Sequence, residues 1–202
     1  MRSSTRRALA CLALTLLAAA CGGASRRAAR DAAARAAADT VPRPYSASDV
    51  RFMHQMLAHH GEALAMMTLV RTQAARSDVR VLALRMELSQ RDELALMRYW
   101  LENRGEPVVA VVPGRNGEPA LPGMLTAAQG DSLRAAKGPA FDELFLRYMI
   151  QHDEGALAMV VQHLRTPGAA RQAETHRFLS DIEAERRAEL HRLRTLLAAL
   201  RE

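Results

Sequence analysis

An all-α four-helix bundle, built from two tandem helical hairpins joined by a long crossover, is the fold this sequence predicts, on three observations. The 202-residue chain is 49 % hydrophobic but only 4 % aromatic, and Ala, Leu, Arg and Glu dominate it, a composition that suits helices packed through small and straight-chain residues. Four long segments carry apolar residues at helical spacing, separated by Pro, Gly and capping residues. The two halves of the helical region also match each other residue for residue.

The first residues stand apart from that region. Arg2, Arg6 and Arg7 precede an apolar run from Ala8 to Ala20, followed by Cys21-Gly22. This order of basic, apolar and small residues is that of a secretory signal over residues 1–20. The small residues before Cys21 resemble a lipobox, so Cys21 is the expected lipid-attachment site, with Ala18 standing where Leu is commoner. The run is short for a membrane span. An exported, lipid-anchored protein of the cell envelope is therefore expected, periplasmic or on the outer membrane. Residues 21–45, rich in Ala and Arg and ending in Val41-Pro42-Arg43-Pro44, read as a tether, because two prolines break a continuous helix.

In the expected bundle, residues 46–202, Ser46 and Asp49 form a capping pattern, and Phe52, Met56, Ala63 and Val70 follow at helical spacing, predicting a first helix over about 47–72. Ser77-Asp78 opens a second helix that continues through Val81, Leu84, Leu88, Leu96 and Trp100 and stops at Gly105 and Pro107. Residues 105–138 are rich in Gly and Pro and read as a long surface connection containing one short helix from Thr126 to Lys137. Gly138-Pro139 restarts the chain into a third long helix through Phe141, Phe145, Met149, Ala156 and Met159, ending near Thr166-Pro167-Gly168. The fourth runs from about Ala170 to the C-terminus.

Phe52, Met56, His59, Ala63, Leu64, Ala65 and Met66 recur 93 residues later as Phe145, Met149, His152, Ala156, Leu157, Ala158 and Met159. Met86, Glu93, Leu94 and Met97 recur 96 residues later as Ile182, Glu189, Leu190 and Leu193. A duplicated hairpin, residues 46–104 and 139–202, accounts for both. At about 100° per residue, Met56, His59, Ala63 and Met66 share one sector of roughly 80°, and so do Met149, His152, Ala156 and Met159. If both stripes turn inward about a pseudo-twofold axis, thioethers and imidazoles converge without a hard oxygen shell, a donor set suited to a soft metal. Met56, His59, His60, Met66, Met149, His152 and Met159 are the candidate ligands. Methionine at helical spacing also serves as core filler, whereas two adjacent histidines on an apolar seam carry a polar cost that a metal or a definite hydrogen bond must offset.

The segment Phe52-Met-His-Gln-Met-Leu-Ala-His-His-Gly-Glu-Ala-Leu-Ala-Met66 resembles the Met-Ile-x-His-His-x-x-Ala-x-x-Met helix of the family catalogued as domain of unknown function 305. Gln90, Glu93, Met97 and Trp100 resemble its following helix. The resemblance covers about residues 48–104 and 141–200. It implies a ferritin-like helical bundle, usually exported, with some members linked to copper binding or copper tolerance. Here the second repeat departs from the pattern: Asp153 replaces the second histidine, and Arg186 stands where the first repeat has Gln90.

The other histidines fit the stripes less well. His54 lies on the opposite face and is expected in solvent, His163 extends the second stripe but has apolar Val70 as its repeat partner, and His176 and His191 lack Met or His neighbours at helical spacing. Glu62, Asp153 and Glu154 are candidates to orient a histidine through its other nitrogen.

Cys11 falls in the signal and Cys21 under the lipid, leaving no thiol for a disulfide, a zinc-thiolate site or a cysteine nucleophile. No Gly-x-Ser-x-Gly elbow is present, nor the Glu-x-x-His of di-iron bundles. A non-enzymatic metal-binding protein is expected, taking copper in either oxidation state, or silver, for storage, buffering or tolerance. The alternatives are a metal-free interaction module of the envelope and, further off, a di-metal enzyme. The net charge of +6 is halved once the three signal arginines are removed, and no basic run is interleaved with aromatics, so nucleic acid is not an expected partner. Pairing with a second copy is left open.

Overall fold

The computed structural model describes residues 26–30, 43–110 and 121–200. The chain divides into two units, Met1–Arg43 and Pro44–Glu202. In the first, residues 26–30 are helical; the signal, Cys21 and the Val41-Pro42 end of the tether lie outside the described residues.

In the second unit the Ser46 hydroxyl accepts the Asp49 N–H at 3.1 Å while the Asp49 carboxylate accepts the Ser46 N–H at 2.8 Å. This reciprocal cap starts α1 (Ala47–Gln73). A turn of three residues leads to α2 (Ser77–Glu102). Thr126 and Gln129 repeat the same box at the start of α3 (Ala127–Ala135). Pro139, in the first turn, opens α4 (Gly138–Leu164), and α5 (Ala173–Ala199) follows. Helices are the regular elements among the described residues, with one isolated bridge between Ala74 and Gly138. The fold is the all-α bundle that composition and periodicity predict. None of the helices searched is long and apolar enough to cross a membrane.

α1 packs against α2 and α4, and α5 against α4 and α2, closing a ring of four long helices. The core falls into two apolar clusters. One holds Ala63, Met66, Met67, Met86, Phe145 and Met149; the other holds Met53, Met56, Met97, Ala156, Met159 and Ile182. Met56 thus sits with Met159, and Met66 with Met149, so α1 and α4 run antiparallel about an axis passing between the clusters.

Two aspartates extend this symmetry to the ends of the bundle. Asp142 is buried and accepts the backbone N–H groups of Ala75 and Arg76 in the turn of the first hairpin, at 3.1 and 3.0 Å. Asp49, its equivalent 93 residues earlier, accepts the N–H of Ala170 in the turn of the second, and His163 Nε2–H, both at 2.8 Å. Each hairpin therefore satisfies the exposed turn donors of the other. Trp100 adds a cross-hairpin bond from its indole N–H to Thr175 Oγ1 at 3.1 Å.

The buried side of α2 differs from the sequence expectation. Val81, Leu84, Leu88 and Leu96 are exposed, and Val79, Leu82, Ala83, Met86, Met97 and Trp100 form the core face. This helix carries two apolar stripes. The core takes the one that contains Glu93, whose carboxylate meets His60 and Arg186 inside the bundle.

Candidate metal centre

Between the two apolar clusters, each long helix contributes two polar side chains to the waist of the bundle. They are His59 and His60 from α1, Gln90 and Glu93 from α2, His152 and Asp153 from α4, and Arg186 and Glu189 from α5. All eight are buried. The register follows from duplication, since each pair has its repeat equivalent directly across the pseudo-twofold axis.

His59 and His152 meet on that axis, with ring centroids 3.8 Å apart and planes inclined at 34°. His59 Nε2 lies 3.0 Å from the Pro122 carbonyl oxygen. A carbonyl can only accept, so the proton is on Nε2 and Nδ1 carries the free lone pair. His60 Nε2 likewise donates to the Glu93 carboxylate, which leaves its Nδ1 as the lone-pair nitrogen. Neither His59 Nδ1 nor His60 Nδ1 has a hydrogen-bond partner among the described residues, and the same holds for both ring nitrogens of His152. Glu62 approaches His152 Nδ1 to 3.2 Å while accepting the Leu125 N–H at 3.1 Å.

Burial, the neighbouring His60 and the Arg186 guanidinium push His152 down to about 3. Burial, followed by His152 and His60, also holds His59 well below the ordinary histidine range. Both rings are neutral near pH 7, the state in which imidazole offers a lone pair. Buried polar atoms without partners are costly. A cluster of neutral, unpaired imidazole nitrogens flanked by thioethers is consequently a set of donors awaiting an acceptor.

The second half of the belt is built differently. Where the first repeat pairs His60 with Glu93, the second brings Asp153 and Glu189 around Arg186. The guanidinium lies 2.8 Å from Glu189, 3.0 Å from Glu93 and 3.5 Å from Asp153. Burial pushes Asp153 up to about 7 and Glu189 up to about 8, against the pull of Arg186. Burial alone would lower Arg186, but Glu189, Glu93 and Asp153, with Glu185 behind them, reverse this and raise it. A fixed cation thus occupies the half in which the sequence lacks its second histidine.

All seven candidate ligands are buried: Met56, His59, His60, Met66, Met149, His152 and Met159. The structure brings the imidazoles together but divides the thioethers. Met56 and Met159 lie in one apolar cluster and Met66 and Met149 in the other, so the four sulfurs flank the histidine layer instead of meeting at one point. Met53, Met67, Met86 and Met97 are buried alongside them. Among the described residues no three His, Cys, Asp or Glu side chains form a ready metal-holding group.

Of the other groups weighed from sequence, His163 is taken up by Asp49 and stacks on Phe52 at 4.5 Å. His54 bonds the Pro107 carbonyl at 2.8 Å, and Glu154 pairs with Arg194 at the surface. The sequence reading missed Glu93 as the partner of His60, Arg186 as a buried cation, and Asp49 and Asp142 as links between hairpins. The 93-residue repeat already aligned the two aspartates, and that signal could have found them.

The crossover also departs from a surface role. Its residues 121–125 press on the site, with Pro122 on His59 and Leu125 on Glu62. Two glycines permit the approach. Gly123 adopts φ +82°, and a Cβ on Gly155 of α4 would stand 2.1 Å from the Pro122 carbonyl oxygen.

A duplicated-hairpin helical bundle with a buried His/Met waist is the class these observations define. The sequence model of domain of unknown function 305 matches residues 49–197, and the chain belongs to that family. A DUF305 fragment from Deinococcus radiodurans is 27 % identical, with a TM-score of 0.69 over 78 % of this chain and 99 % of that one. A DUF305 protein from Streptomyces coelicolor is 24 % identical, with a TM-score of 0.67 over 76 % of this chain and 93 % of its own. CopM in its Cu(I)-bound form has the same fold at 23 % identity and a TM-score of 0.59, covering 75 % of this chain and 96 % of CopM; Cu(II)-bound and Ag-bound forms of CopM are also similar. No curated protein matches.

Proposed function

We propose that this chain is an exported, lipid-anchored metal-binding protein of the cell envelope that takes copper or silver at its waist, for storage, buffering or tolerance, and that it is not an enzyme. The observation that carries the proposal is the set of buried ring nitrogens on His59, His60 and His152 that have no hydrogen-bond partner among the described residues. The protonated nitrogens of His59 and His60 are held by a carbonyl and a carboxylate, the arrangement that orients an imidazole toward a metal. His59, His60 and His152 are the residues that would hold the ion, with Met56, Met66, Met149 and Met159 supplying soft donors on either side. Bound there, copper or silver would be sequestered from water behind the crossover. The copper- and silver-bound forms of CopM support the choice of metal, since that protein shares the fold. Anchoring rests on the basic, apolar and small-residue order that ends in Cys21-Gly22.

Titration of the chelator-stripped chain with Ag(I), with bound metal measured by elemental analysis, tests the site. The parent chain retains silver after desalting, and the paired change His59→Ala with His152→Ala removes it. A parent chain that emerges metal-free overturns the proposal. Replacing Cys21 with Ser tests the anchor separately and should move the protein from the detergent-extracted membrane fraction to the soluble envelope fraction.

A further inference from the structure

The exposed stripe on α2 is not explained by the fold or by the site. Val81, Leu84, Leu88, Leu96 and Tyr99 are each 54–60 % exposed, and at about 100° per residue they fall within one sector of roughly 120° running some 27 Å along the helix. The duplicated helix is an internal control. At the equivalent positions 96 residues later, α5 carries Arg177, Ser180, Ala184, Arg192 and Thr195. Both helices play the same part in the same hairpin, so the hairpin does not require an apolar outer face. Only α2 has one.

We infer that this face binds the same face of a second copy of the chain, as an antiparallel helix pair centred between Leu88 and Ser89. The charges on the stripe select this occupant. Arg85 and Asp92 are exposed, and neither has an ion-pair or hydrogen-bond partner among the described residues. They lie two turns apart within that sector, on the same side of Val81, at about 40° and 20° from it. A twofold axis normal to the helices at that centre sets Arg85 of each copy opposite Asp92 of the other. The same register sets Val81 opposite Leu96, and Leu88 packs against its own symmetry mate. The surface is self-complementary in this one register: two reciprocal ion pairs flank an apolar middle. Pairing two such faces removes on the order of 1,000 Å² from water, the lower end of the range for specific interfaces. A weak, concentration-dependent dimer follows.

Sedimentation equilibrium of the purified chain at concentrations up to about 100 µM tests the pairing. The parent chain dimerises. Arg85→Asp sets two like-charge contacts in the dimer and should raise the dissociation constant at least about tenfold, as should Asp92→Arg. The double variant carrying both changes restores the ion pairs with reversed sense and should regain parent-like dimerisation. Both positions in this comparison are on the surface, so the variants keep the fold, which circular dichroism verifies. A monomeric parent chain overturns the inference, and so does a double variant that dimerises no better than either single one. Dimerisation that survives Leu88→Glu would place the interface elsewhere and overturn it too.

Discussion

The imidazoles of His59 and His152, equivalent residues of two duplicated hairpins, lie with their centroids 3.8 Å apart on the pseudo-twofold axis of the bundle. Two buried neutral rings in this position share a local symmetry that no single helix possesses. The flanking methionines obey the same symmetry, Met56 with Met159 on one side and Met66 with Met149 on the other.

Changing Met56 and Met149 together to Leu removes one thioether from each side of the histidine layer. Volume and apolarity barely change, so stability should move by less than about 1.5 kcal/mol. Thioethers are soft donors, and Cu(I) and Ag(I) should therefore be lost in preference to Cu(II), which imidazole alone accommodates. Competition titrations with both oxidation states read this out. Unchanged Cu(I) affinity would reduce the methionines to core packing.

Gly155→Ala should displace residues 121–125 from α4, because its Cβ would meet the backbone of Pro122 and Gly123 at 2.1–2.5 Å. Backbone cannot yield as a side-chain tip does, so the crossover must lift, at a cost of about 1–3 kcal/mol. His59 then loses the carbonyl that holds its Nε2 proton. Hydrogen exchange at Leu125 should accelerate, whereas exchange in the α1–α2 turn should not.

Asp142→Ala leaves two backbone donors of the Ala75–Arg76 turn without their carboxylate. Charge-assisted bonds of this kind contribute about 1.5–3 kcal/mol each before water competes, and a net loss of about 3 kcal/mol in urea unfolding is expected. Asp49→Ala should cost a similar amount, since it strips Ala170 and His163 of their acceptor. A loss below about 1 kcal/mol for both would show that the turns close without cross-hairpin support.

The metal-free chain should lose stability as pH rises from 6.5 to 8.5. Burial raises Asp153 to about 7 and Glu189 to about 8, whereas in the unfolded chain both are ionised by pH 6.5. The folded state therefore holds more protons, and stability falls as pH rises through the folded values, by at most about 1.4 kcal/mol per pH unit for each proton released. His59 and His152 oppose this in the lower part of the range, below about pH 7.5, where the unfolded rings begin to protonate and the folded rings stay neutral, but two histidines half-titrated at about pH 6.5 release fewer protons across it than the two carboxyls. Glu189→Gln should flatten the slope. An equal slope in parent and variant would assign the titration to another group.

Much of this protein was legible from the sequence alone. The all-α class and the duplication followed from periodicity and from the 93- and 96-residue repeats, because helix formation and capping are governed by residues within a few positions of one another. His59, His60 and His152 stood out because histidine on an apolar stripe is conspicuous. The partners of these groups were not legible. Which of two apolar stripes α2 would bury, that the carbonyl of Pro122 would reach His59, and that Arg186 would sit among Glu93, Glu189 and Asp153 all depend on rotation and register between helices far apart in the chain. Those are set by mutual packing and by the need to pair every buried charge. The tertiary structure alone decided them, and in doing so it sent the imidazoles to the axis and the thioethers to either side.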